Sequence, residues 1–175
     1  MDELQIIVWL LPIVFIMHDF EEIIFFKPWV TKNSLYLKKR FPFLDKRLLP
    51  RMEALSVPAF ALAVFEEFIL LCIITFTAFY FDYYSIWLAV FMAFFIHLFA
   101  HIIQWIVLRR YIPAIVTAIL ALLYCIYGFI VILRSQLFTV PEIILLSLAG
   151  VFFMVVNLLL AHGLAEKFDK KRSIE

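Results

Sequence analysis

Apolar residues in this chain run in long blocks rather than in alternation, and short polar or proline-containing breaks separate the blocks. A helix needs about 20 mostly apolar residues to cross the hydrocarbon core of a bilayer. Five segments reach that length, at 4–26, 55–80, 84–108, 112–133 and 140–163, the first two only if the charges inside them are buried. Pro58, Pro113 and Pro141 fall near segment starts, where a missing N–H costs least. Pro12 lies inside the first segment and predicts a kink. The breaks at 81–83, 109–111 and 134–139 are short, which predicts antiparallel neighbours. The pattern therefore predicts an all-α polytopic bundle of about five transmembrane helices, in a single domain over 1–175.

Composition strengthens this reading. Of the 175 residues, 66% are hydrophobic, 21 are Phe and only 17% are charged. A soluble domain is about half apolar. The three glycines form no phosphate-binding loop, and no nucleic-acid module is visible. Cys72 and Cys125 sit singly in apolar runs, without metal-ligand or redox spacing, and read as core residues. The start, Met1-Asp2-Glu3, has no positive region, so no removable signal peptide is expected.

Charge gives an orientation. The one long connection, 27–51, carries eight Lys or Arg. With five spans it shares a side with Arg109, Arg110 and the tail bearing Lys167, Lys170, Lys171 and Arg172, whereas the opposite side has only Arg134. The positive-inside rule then predicts the N-terminus outside and the C-terminus in the cytoplasm. Contact with anionic lipid headgroups accounts for the basic loop without a further partner.

The chemistry lies in the ionisable residues inside the spans, each costing several kcal/mol unless paired, metal-bound or wetted. The first span carries His18, Asp19, Glu21 and Glu22, and the second carries Glu66 and Glu67. The third carries His97, His101 and Gln104, and the fifth Asn157 and His162. His18, Glu21 and Glu22 share a helical face, and His97 and His101 stand at i, i+4, a spacing that offers two imidazoles to one metal. Asp19 is rotated about 100° from His18 and is expected to point away.

Depth agrees with one shared site. Measured from the basic end of each helix, His18 lies about 13 Å from Lys27, Glu66 about 12 Å from Pro58, and His101 about 12 Å from Arg109. Imidazole and carboxylate together suit zinc, iron or manganese, as one or two divalent ions. The expected ligands are His18, Glu21, Glu22, Glu66, Glu67, His97, His101 and His162, with Gln104 and Asn157 outside them. Glu21, Glu66 and Glu67 divide the roles of ligand and general base. The fourth span has no charge between Ile112 and Leu133 and is expected to be a peripheral support. A site buried in hydrocarbon is most easily reached by a molecule already in the membrane. The expected function is therefore metal-dependent hydrolysis of a lipid or other apolar substrate, with a glutamate taking the proton of a metal-activated water. Di-iron oxidation of a lipid and proton-coupled transport through a His/Glu relay are the rivals.

The run His18-Asp19-Phe20-Glu21-Glu22 resembles the signature of the HXXEE-domain family of small bacterial integral membrane proteins. Phe65-Glu66-Glu67 and the His97/His101 pair look like that family's further polar motifs. The resemblance implies a membrane metalloenzyme of the bacterial cytoplasmic membrane. The CAAX-protease-like intramembrane metalloproteases share paired glutamates and histidines. They differ here at Leu71, where their motif has arginine, and at Ala93, where a Phe is expected. Ceramidase-like membrane hydrolases share only the spacing of two histidines.

Overall fold

The computed structural model describes residues 2–46 and 48–172. In chain order the helices are α1 (Glu3–Arg40), α2 (Pro42–Asp45), α3 (Leu48–Ala54), α4 (Val57–Phe81), α5 (Tyr84–Leu108), α6 (Ile115–Ser135) and α7 (Val140–Arg172). There is no strand among the described residues. α4, α5, α6 and α7 are long and apolar enough to cross a membrane. α1, which carries the acidic run, is not one of those four. Large apolar side chains such as Leu145, Phe152 and Leu159 cover the outer face of α7. A surface of that kind suits lipid rather than water, as in an integral membrane protein.

The strongest pairings close a ring in the order α1, α4, α7, α5, α6 and back to α1. α5 also touches α4 and α1 across the ring. The main core lies on this inner side and holds Leu11 of α1, Leu71 of α4, Trp87 and Phe91 of α5, and Cys125 of α6. Both cysteines are free, and Cys125 is buried as expected of a core residue. One expectation about neighbours fails. α6 and α7 are joined by a short link yet do not pair, because α5 stands between them and pairs with both.

The predicted loop 27–51 is mostly helix. α1 does not stop at residue 26 but continues to Arg40, a length of about 57 Å. Val30, Asn33 and Leu37, spaced at i, i+3 and i+7, bury one side of this extension, and Val30 and Leu37 pack with Leu49 of α3. Lys38, Lys39 and Arg40 close its last turn, where positive charge complements the helix dipole. Pro12 and Pro28 lie inside α1, and each removes one donor from its ladder.

The extension, α2, α3 and the end of α7 form a basic cap. Lys27 Nζ donates to the carbonyl of Leu55 at 3.0 Å and to that of Glu53, tying α1 to the end of α3. Ser56 caps α4 by accepting from Ala59 N at 3.2 Å. Its own N–H donates to Asp169 of α7 at 2.9 Å, and its hydroxyl donates to the same carboxylate. The start of α4 is thus clamped to the end of α7.

Candidate metal centre

α1 and α5 bring four ligand atoms to one point. His18, Glu22, His97 and His101 each place one donor within 4.8 Å of the others. His97 and His101 sit one turn apart on α5, with ring centroids 4.5 Å apart. Their Nε2 atoms approach to 2.9 Å, and His101 Nε2 lies 3.2 Å from Glu22 Oε1. The His18 ring stands edge-on to both, with centroids 5.0 Å from His101 and 5.6 Å from His97. Donors bound to a tetrahedral ion at about 2.0 Å lie about 3.3 Å from one another. The His97–His101 and His101–Glu22 separations are near that spacing, and all four donors lie within 4.8 Å of one another.

The donor set also fits a cation better than it fits a hydrogen-bond network. His18 Nε2 is buried and has no hydrogen-bond partner. An unsatisfied buried polar atom costs about 1–3 kcal/mol. The two Nε2 atoms at 2.9 Å can share one proton, but that proton would serve only this pair and leave His18 Nε2 without a partner. The four residues could hold one metal ion.

Behind His18 the site is braced by α6. Thr117 Oγ1 lies 3.3 Å from His18 Nδ1 and donates to Glu21 Oε2 at 2.6 Å. One hydroxyl can accept from an Nδ1–H while donating to the carboxylate. That arrangement places the His18 proton on Nδ1 and leaves Nε2 free to bind, as in the carboxylate–histidine–metal relays of other proteins. Glu21 also accepts from Thr117 N at 2.8 Å and from the Tyr111 hydroxyl at 2.8 Å. Thr117 lies in the first turn of α6, where backbone N–H groups have no intrahelical partner and favour an anion. Burial, and then the bond to Glu21, pushes the Tyr111 phenol up to about 12, so it remains a donor at neutral pH.

This brace yields a prediction. Thr117→Val keeps the shape and removes the hydroxyl, so metal affinity should fall about 10–100-fold in a chelator competition. Thr117→Ser should recover most of it. An unchanged affinity in Thr117→Val would dismiss the brace.

Several expected ligands stand elsewhere. Glu21 is outside the group of four because α6 and Tyr111 occupy both its oxygens. Glu66 accepts from Asn157 of α7 at 3.2 Å and so links two helices. Glu67 turns toward the interior and lines a cavity of about 430 Å³ that also reaches Glu22, His97 and His101. His162 is exposed and lies outside the donor group, although its ring borders that cavity. Gln104 is exposed on α5 and borders the same space.

Two expectations are corrected. Asp19 does not point away. It is buried and lines the cavity with Glu22 and Glu67. A residue 100° from His18 still faces inward because α1 is flanked by α4 on one side and α6 on another. Nor is α6 a peripheral support, since its first turn carries the Glu21 and His18 contacts. Thr117 and Tyr111 were missed because neither is a metal-binding residue type. The available signal was Pro113, which marks a helix start whose free N–H groups can serve a carboxylate.

A helical bundle of membrane type with a buried His/Glu donor cluster is the class that fold and site define. The chain belongs to the family described as proteins of unknown function with an HXXEE motif, whose model matches residues 9–128. That range contains all four donors as well as Thr117. No curated protein and no solved structure matches the chain.

Proposed function

We propose that this protein is an intramembrane metal-dependent hydrolase acting on a lipid or similarly apolar substrate. The observation that carries the proposal is the convergence of three imidazoles and one carboxylate beside a cavity walled mostly by apolar side chains. His18, His97 and His101 would hold one ion, with zinc favoured by a set of three imidazoles. A bound ion of this kind lowers the pKa of a water and polarises a carbonyl. Glu22, at 3.2 Å from His101 Nε2, is placed to accept the proton of that water. Glu67 and Asp19, on the wall of the same cavity, hold polar atoms of the substrate or of water there. A single carboxylate among the four donors favours one ion over a di-iron pair, which needs carboxylates from several helices.

The test is elemental analysis of the purified protein together with release of acid from long-chain esters and amides. The parent should carry one metal per chain and hydrolyse a member of that set. Glu22→Gln should keep the metal and lose the activity. A parent without metal would remove the proposal, and loss of metal in Glu22→Gln would make Glu22 a ligand rather than the base.

The proposed topology has five spans, α1 included, and a cytoplasmic C-terminus. Its support is the gathering of Lys and Arg on the α1 extension, the α5–α6 link and the end of α7. A reporter fused after Glu175 should read the cytoplasmic side. A reading from the opposite side would overturn the five-span arrangement.

A further inference from the structure

Two adjoining cavities border the donor cluster. One cavity, of about 430 Å³, extends among α4, α5 and α7 past Leu71, Val90, Phe94 and Met154. The other, of about 380 Å³, runs under α2 and α3 past Trp29, Leu37, Phe41 and Val107. Each is within the size range of small-molecule sites, about 300–1,000 Å³. Glu22 and His101 belong to the walls of both, as do Leu48 and Met52 of α3. Both walls are predominantly apolar, and their polar residues gather where the two spaces meet the donors or lie along the larger one. Among the described residues neither cavity is lined by Lys or Arg, whereas Asp19, Glu22 and Glu67 line the larger one. A phosphate or carboxylate is recognised by cationic side chains or clustered donors. Here the described lining offers it no cationic side chain.

Resting on the hydrolase reading above, we infer that the substrate is an uncharged ester or secondary amide with a long apolar arm on each side of its carbonyl. One arm lies in each cavity, and the carbonyl lies at the donor cluster. In the reaction the oxygen of water bonds to the carbonyl carbon and the bond to the ester oxygen or amide nitrogen breaks. The alcohol or amine leaves with a proton, and the acid product keeps the oxygen of water.

A dialkyl ketone with long arms tests this without turnover, since it has the carbonyl and both arms but no bond to hydrolyse. Native mass spectrometry of the protein should count one ketone per chain. The ketone should bind at least tenfold more tightly than a methyl ketone of equal carbon number or a fatty acid of equal length. A ketone brominated on one arm should quench the part of the emission lost in Trp29→Phe, in a saturable manner. Equal or tighter binding of the methyl ketone or the acid would overturn the inference, as would absence of saturable ketone binding. Metal content of the same samples judges the hydrolase reading separately. Protein that holds metal but does not discriminate loses only this substrate class. Protein that discriminates without holding metal keeps the two-armed ligand and loses the metalloenzyme.

Discussion

His97→Ala and His101→Ala should each abolish stoichiometric metal binding and lower thermal stability. Either change removes one of three imidazoles from a group whose donors lie within 4.8 Å of one another. The group joins α1 to α5, two helices that otherwise touch little across the ring. An ion bound there adds to folding free energy, because the unfolded chain does not offer the same site. At a free-metal concentration about 100 times the Kd, the contribution is about 2.7 kcal/mol. A chelator should therefore lower the Tm of the parent protein and leave that of the two variants unchanged. His162→Ala should retain the metal, because its exposed ring lies outside the group. Asp19→Asn is a more informative partner than a neutral control, since its side chain lines the cavity and can alter activity without removing a donor. If either α5 variant keeps a full complement of metal, or if chelation never shifts the Tm, α5 is not a ligand helix. The cluster would then be better explained as a proton-conducting network, and pH-dependent transport in vesicles would be the next measurement.

Gly150→Leu should prevent α5 and α7 from closing on each other. This is the most extensive helix pair of the bundle, and Gly150 is buried against Ala89 of α5. A Cβ built at Gly150 would fall on the carbonyl of Ala89 in α5 and come within 3.2 Å of its Cα. These are backbone atoms, so no side-chain rotation relieves the overlap and the helices must separate. Even Gly150→Ala should cost about 3 kcal/mol, the upper end for overpacking, and Gly150→Leu more. Gly163 provides the contrast, because a Cβ there meets nothing within 4 Å. Gly163→Ala should be neutral or stabilising by up to about 1 kcal/mol through helix propensity. Thermal unfolding in one detergent ranks the three variants. A Gly150→Ala protein as stable as the parent would refute the close crossing.

Separation of these helices also has a functional consequence. Gly150 lines the larger cavity beside the donors, and α7 supplies the Asn157 that binds Glu66. The prediction for metal content is a smaller effect than for stability, since no α7 residue belongs to the group of four.

The sequence by itself determined the long helices. Unbroken apolar blocks leave the backbone no other way to satisfy its polar groups away from water, and 84–108 coincides with α5 as observed. It also determined which side chains are chemically unusual, and the 3.6-residue period alone places His97 over His101 and His18 beside Glu22. Those four residues are the donor group. The charge pattern marked 27–51 as basic, but the extension of α1 to Arg40 depended on Val30 and Leu37 finding Leu49 and Met52 of α3 to pack against. Tertiary structure alone decided which carboxylate does what. Glu21 and Glu22 are adjacent on one helix, yet one meets the first turn of α6 and the other meets His101 of α5. Glu66 and Glu67 part in the same way, toward Asn157 and toward the cavity. Helical spacing fixes angles about one axis only. Which neighbour stands at each angle follows from the order of five helices around a ring, and that order is set by packing between residues far apart in the chain.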